Sequence, residues 1–152
     1  MSDNSLMLLC TTCMTRNRVP GSRLREHPSC GKCKNKLLSS VPLDLTGDQF
    51  DALLQKDELP VLVDFWAAWC GPCRQMAPAF KNAAITAGES IRFVKLDTET
   101  NQSQSARHQI RSLPTLALFI KGKEVDRRMG LMNEQQILNW LRSHVLDTRI
   151  AS

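Results

Sequence analysis

Trp69-Cys70-Gly71-Pro72-Cys73 is the stretch that most limits what this chain can fold into. It joins an apolar run, Leu62 to Trp69, to a segment with helical spacing. That order predicts a strand turning directly into a helix, with two thiols one helical turn apart at the junction. The first N–H groups of a helix have no internal partner, and the helix start carries a partial positive charge. A thiolate placed there is stabilised relative to its thiol. Cys70 is therefore the expected attacking sulfur.

A chain of 152 residues has room for one compact domain of about 100 residues and a smaller appendage. The other four cysteines fall in the appendage, as Cys10-x-x-Cys13 and Cys30-x-x-Cys33 separated by 16 residues. Such spacing matches four-cysteine zinc sites, in which two thiolate pairs fill the tetrahedral positions of a closed structural centre. An iron–sulfur centre or paired disulfides are the competing readings. Residues 1–40 show no sustained helical or strand periodicity and are too few to fold on burial alone, so metal binding is expected to supply much of their folding free energy. Pro20-Gly21 marks the expected chain reversal between the pairs, and His27 is expected at the surface, since four thiolates already complete the site.

Compartment bears on how six cysteines are read. The N-terminal apolar run, Leu6 to Leu9, is too short for a secretory signal, and no apolar run reaches the roughly 18 residues of a membrane span. A cytoplasmic protein without membrane association is expected. There, cysteines point to metal binding or redox catalysis before structural disulfides. The formal charge of +5 arises wholly in residues 1–40, where Arg16, Arg18, Arg23, Arg25, Lys32, Lys34 and Lys36 face Asp3 and Glu26. Four thiolates on one divalent cation lower that excess to +3. The segment lacks aromatic residues for base stacking, so nucleic acid is not an expected partner.

Lys34–Ser40 reads as a polar linker, placing a boundary near residue 40, with a four-cysteine zinc-binding unit at 1–40 and a second domain at 41–152. In the second, Val41–Leu45 reads as a short strand. Thr46 and Gln49 form a capping box before a helix carrying Phe50, Leu53 and Leu54. Val61–Trp66 reads as a central strand apolar on both faces, followed by a helix from about Cys73 to Ala87 with Pro78 inside it, and Ile91–Leu96 as a third strand. A short helix is expected over Asn101–His108. Thr115–Ile120 and Glu124–Met129 flank Lys121-Gly122-Lys123 as a hairpin, and Asn133 opens a last helix with Ile137, Leu138, Leu141 and Val145 on one face. The order is βαβαβαββα, an α/β domain with a mixed central sheet between helices. Phe65, Trp66, Phe80, Phe93 and Phe119 are core candidates, and His108 and His144 are expected at the surface. Asp64, inside the central strand, is expected to lose solvation and to be harder to ionise; pairing with Lys95 on a neighbouring strand is the structural alternative.

Across residues 41–146 the chain resembles the thioredoxin family. The resemblance rests on Val63-Asp64-Phe65-Trp66-Ala67 leading into Trp69-Cys70-Gly71-Pro72-Cys73, then Pro78, Leu113-Pro114-Thr115 and Gly130. With the four-cysteine extension, here zinc-ribbon-like, the whole chain is similar to the second type of bacterial thioredoxin. The resemblance implies a thioredoxin fold and a disulfide reductase re-reduced by an NADPH-dependent thioredoxin reductase, with one structural zinc and no organic cofactor bound. It implies Cys70 as exposed nucleophile, Cys73 as the less exposed resolving thiol, and Asp64 as proton acceptor. Lys95 is implied to tune that acid, an ordinary snorkelling lysine being the alternative. Pro114 is implied to be cis, and Trp69, Gly71, Pro72, Leu113 and Gly130 to form an apolar docking surface. Implied partners are the reductase and cytosolic disulfide proteins of the ribonucleotide reductase, methionine sulfoxide reductase and peroxiredoxin classes; a monomer is expected. Ala68 and Arg74 stand where family members often carry an acid and a lysine, a departure that bears on reductase or substrate preference. Two other functions compete: an oxidant or isomerase of the same fold, and a zinc-ribbon binding or redox-sensing module with the second domain as effector.

Overall fold

The computed structural model describes residues 4–145. The first elements are a hairpin, strands β1 (Ser5–Leu9) and β2 (Arg16–Pro20), paired antiparallel, and then a single 3-10 segment, Gly21–Glu26. Strands form here although the sequence shows no sustained strand periodicity. Alternation is missing because both faces of β1 are covered: Leu8 packs in a small core with Val19, Leu37, Leu38 and Leu59, while Leu9 enters the main core beside Phe50 and Val61. A strand buried on both faces has no polar face to alternate with. Leu37 and Leu38 are likewise buried, so the later part of Lys34–Ser40 is packed, while Lys34, Asn35 and Lys36 are exposed as a polar linker would be.

The larger unit runs β3 (Leu43–Asp44), α1 (Gly47–Lys56), β4 (Val61–Trp66), α2 (Gly71–Ala87), β5 (Arg92–Asp97), α3 (Gln102–Arg107), β6 (Thr115–Ile120), β7 (Lys123–Met129) and α4 (Glu134–His144). This is the βαβαβαββα order, with the first strand trimmed to two residues and α2 starting at Gly71. The five strands are ordered β3-β5-β4-β6-β7, the first three mutually parallel, β6 antiparallel to β4 and β7 antiparallel to β6. Local chemistry sets the ends of the elements. Thr46 and Asn133 close reciprocal capping boxes with Gln49 and Gln136. Lys121 (φ 51°) and Gly122 (φ 80°) make the β6–β7 turn, and a Cβ on Gly122 would meet the Leu54 carbonyl at 2.7 Å.

Side-chain parity sorts β4 between two cores. Val61, Val63 and Phe65 point toward α1, packing with Phe50 and Leu53. Leu62 points the other way, toward Met76 and Phe80 of α2 and Ile137 and Leu141 of α4. By the same alternation Asp64 and Trp66 lie on the α2 face.

A buried ion pair ties the cysteine-rich segment to this sheet. Arg92, first residue of β5, lies 2.7 Å from Asp57, their side chains 2% and 0% exposed. Its guanidinium also donates to the carbonyls of Leu37 (2.6 Å) and Leu9 (2.9 Å), and Asp57 accepts the Leu9 N–H at 2.7 Å. Those contacts hold the chain just before Cys10 and just after Cys33. The four-cysteine segment thus sits at the N-terminal ends of β4 and β5, whereas Cys70 follows the C-terminal end of β4. The six-residue β4, rising roughly 3.3 Å per residue and so about 17 Å from first to last Cα, lies between the two ends.

Candidate functional site

Cys70 is the N-cap of α2: its backbone is extended, and its Sγ accepts the N–H of Cys73 at 3.2 Å. One of the orphan donors of the helix start is therefore aimed at the sulfur, as the sequence leads one to expect. Gly71 and Pro72 occupy the first two helical positions, where a missing N–H costs nothing. Cys70 and Cys73 are joined in a disulfide, with Cα atoms 5.3 Å apart. In this oxidised form both residues are 3% exposed, which corrects the expectation of an exposed Cys70 beside a more hidden Cys73. The reason is local. Ala67, Trp66 and Leu113 pack around the disulfide, and the Leu113–Pro114 bond is cis.

Around that centre the surface is apolar and open. Trp69 is 67% exposed, and a Cβ added to Gly71 would meet nothing within 4 Å. Gly130, at φ 96°, donates its N–H to the Pro114 carbonyl at 2.9 Å, bringing the end of β7 beside the proline. Met129 and Leu131, on either side of Gly130, are exposed. Sequence reading missed both; the signal was an apolar pair flanking a glycine just after a strand. Arg74 Nη1 donates to the Ala68 carbonyl at 2.6 Å, so the guanidinium meets backbone where an acid is absent.

Asp64 faces α2 between Lys95 of β5 and Leu116 of β6, its registered neighbours. It is buried, and neither carboxylate oxygen has a hydrogen-bond partner. Burial pushes its pKa up to about 7, against a smaller opposing pull from the Lys95 charge. No direct Asp64–Lys95 bond forms; the Lys95 ammonium lies 4.7 Å from the centroid of the Trp66 ring.

The second cluster is Cys10, Cys13, Cys30 and Cys33, whose Sγ atoms all lie within 4.8 Å of one another. Cys10–Cys33 and Cys13–Cys30 approach to 3.6 Å. Four thiolates bound at about 2.3 Å to one tetrahedral zinc have sulfur–sulfur edges of about 3.8 Å, so the donor set fits the ion. The two halves are built alike. In each, the N–H of the first cysteine donates to the carbonyl five residues on (Cys10 to Thr15, Cys30 to Asn35), and the residue after the second cysteine is left-handed (Met14, φ 63°; Lys34, φ 69°). N–H donors, with Cys33 first and the Asn17 amide next, lower the Cys30 thiol to about 6, and burial raises that of Cys10. His27 takes no part, being exposed and 3.1 Å from Glu89.

Two family models match the chain: one described as Thioredoxin over residues 41–143, and one described as Thioredoxin 2, N-terminal, over residues 9–35. The chain belongs to the thioredoxin family. It is 40% identical over 136 residues to "Thioredoxin C-3" of Corynebacterium nephridii, covering 90% of this chain and 93% of that one. To "Thioredoxin 1" of Synechococcus elongatus it is 38% identical over 106 residues, 70% of this chain and 99% of that. A solved structure of a mutant thioredoxin from Halobacterium salinarum NRC-1 superposes with a TM-score of 0.63 at 31% identity, covering 69% of this chain and 91% of that chain. Thioredoxins are protein-disulfide oxidoreductases, and this chain is a thioredoxin with an N-terminal zinc-ribbon segment.

The remaining histidines correct the sequence reading. His108 is half-buried, its ring 5.3–6.1 Å from those of Phe50, Phe65 and Phe119. His144 is also half-buried, 2.9 Å from Asp126, which accepts the Trp140 Nε1–H as well. Among the described residues no helix is long and apolar enough to cross a membrane.

Proposed function

We infer that Cys70 and Cys73 reduce disulfides of other proteins by dithiol–disulfide exchange. The observation that carries this reading is the Cys70 sulfur at the α2 N-cap, hydrogen-bonded by the Cys73 N–H and joined to Cys73 in a disulfide. In the reduced protein the Cys70 thiolate attacks one sulfur of a substrate disulfide. A mixed disulfide forms, and the other substrate sulfur leaves as thiolate and takes a proton. Cys73 gives its proton to the Asp64 carboxylate, directly or through water, and its thiolate attacks Cys70 Sγ. The second substrate sulfur leaves, two electrons have passed to the substrate, and Cys70–Cys73 is again a disulfide. Asp64 suits the task because a carboxyl with a pKa of about 7 exchanges its proton near neutral pH.

Trp69, Gly71, Pro72, Leu113 and Gly130 form the docking surface, and Pro114, itself buried, borders it through the Gly130 N–H bond to its carbonyl. The open, apolar character of this surface and the backbone flanking the cis-proline favour pairing with an extended substrate segment over reading its side chains. Lys95 tunes Asp64 by charge. Re-reduction is by thioredoxin reductase with NADPH. The substrates are cytosolic disulfide proteins, of which ribonucleotide reductase, methionine sulfoxide reductase and peroxiredoxin classes follow from the family. The protein acts as a cytoplasmic monomer with no bound organic cofactor. Cys10, Cys13, Cys30 and Cys33 hold one structural Zn(II), which supplies cross-linking free energy to a segment too short to fold on burial alone.

The test is Cys73→Ser, which removes the resolving thiol and is expected to accumulate mixed disulfides through Cys70. Absence of trapped protein, or equal trapping by a Cys70→Ser control, overturns the reading.

A further inference from the structure

The two cysteine knuckles are separate turns of chain, each closed by its own backbone bonds. What sets one against the other is a different question, and Asn17 bears on it. From β2, its side-chain amide reaches both knuckles. Nδ2 donates to the Thr15 carbonyl at 3.2 Å, the same carbonyl that accepts the Cys10 N–H and closes the first knuckle. Nδ2 also lies 3.5 Å from Cys30 Sγ, and Oδ1 accepts the Gly31 N–H at 2.9 Å, so the other end of the amide engages the second knuckle. Asn35 makes a contrasting contact. Its amide donates to Cys33 Sγ at 3.4 Å, two residues away within one knuckle.

We propose that Asn17 is a positioning residue of the metal centre, fixing the two cysteine pairs in register so that four sulfurs converge before an ion arrives. The proposal rests on the zinc reading above. Its chemistry is that of an outer-shell partner. A planar amide offers a donor and an acceptor in a fixed geometry, and so links a carbonyl and a sulfur to an N–H without adding charge beside four thiolates. Aspartate keeps the acceptor for Gly31 but loses both donors, and adds a negative charge to a centre that already carries a surplus of two. Alanine loses all three bonds.

Full-length wild type, Asn17→Ala, Asn17→Asp and Asn35→Ala are loaded with zinc and titrated with a chromophoric chelator under reducing conditions. Cobalt(II) is substituted in parallel to read the thiolate charge-transfer bands. The Cys70–Cys73 exchange activity of each variant, at the opposite end of β4, reports that the rest of the protein is folded. Asn17→Ala is expected to bind zinc 10–100-fold more weakly, with the cobalt bands of a four-sulfur site retained at saturation. Asn17→Asp is expected to bind at least as weakly as Asn17→Ala, and Asn35→Ala to lose less. Affinity of Asn17→Ala within twofold of wild type overturns the proposal, as does wild-type affinity in Asn17→Asp, since that variant lacks the donor bonds to Thr15 and Cys30. A wild-type protein that binds no zinc overturns the zinc reading itself, a result distinct from either.

Discussion

Replacing Asp64 with asparagine tests the most consequential electrostatic feature of the site. Its carboxyl is buried without a hydrogen-bond partner, and burial raises its pKa from the ordinary 3.8 to about 7. Each pH unit is worth about 1.4 kcal/mol, so ionising Asp64 inside the fold costs about 4 kcal/mol relative to the unfolded chain. The sign follows from proton counts. Between pH 3.8 and about 7 the folded state binds the extra proton, so its contribution to stability is complete below that window and is lost as pH rises through it. Asparagine is nearly isosteric and does not titrate. From pH 5 to pH 8.5 the wild type is expected to lose about 3 kcal/mol relative to Asp64→Asn, because about two pH units of the window lie above pH 5. Guanidinium unfolding of both oxidised proteins, followed by tryptophan fluorescence at the two pH values, measures the difference with the other titrating groups cancelled. A difference that stays constant to within about 0.5 kcal/mol refutes the reasoning. Disulfide exchange by Asp64→Asn is expected to slow most near neutral pH, where the carboxylate would have taken the Cys73 proton.

Asp57→Ala is expected to cost about 3–5 kcal/mol in the same unfolding assay, because it strands the buried Arg92 guanidinium without its counter-charge. Hydrogen exchange at the Leu9 amide, which Asp57 accepts, should quicken alongside. His108→Phe is expected to make the protein less sensitive to acid. Burial among aromatic rings, aided by Arg107 and Arg127 and opposed by Glu124 and Asp51, lowers the His108 pKa, so its contribution is present above its ordinary 6.5 and lost as pH falls through the lowered value. Thermal melts from pH 7 down to pH 5 check this; parallel pH profiles for the two proteins count against it.

What could be read in the sequence was local. The capping boxes at Thr46–Gln49 and Asn133–Gln136, the Gly122 turn and the paired cysteines each declare themselves within six residues. The acid in β4 was legible because a lone Asp64 among apolar neighbours has few fates. What escaped depends on distant partners. Arg92 looks like the ordinary start of a strand until Leu9, 83 residues earlier, is found at its guanidinium. His108 carries no mark of its aromatic nest, whose members come from α1, β4 and β6. β1 went unrecognised because its second face is covered by another part of the chain. Met129 and Leu131 lacked context until Gly130 was found bonded to the cis-proline loop.

The strand that separates the two sets of cysteines also gives the experimenter a quality mark. A disulfide requires Cα atoms within about 7 Å, and the length of β4 keeps Cys10, Cys13, Cys30 and Cys33 well beyond that reach of Cys70 and Cys73. An intramolecular link between the sets can form only in a molecule whose N-terminal segment has left the sheet. Mass-spectrometric detection of such crossed peptides in the monomeric fraction after oxidation would therefore mark chains that had opened, recorded covalently and readable long after the event.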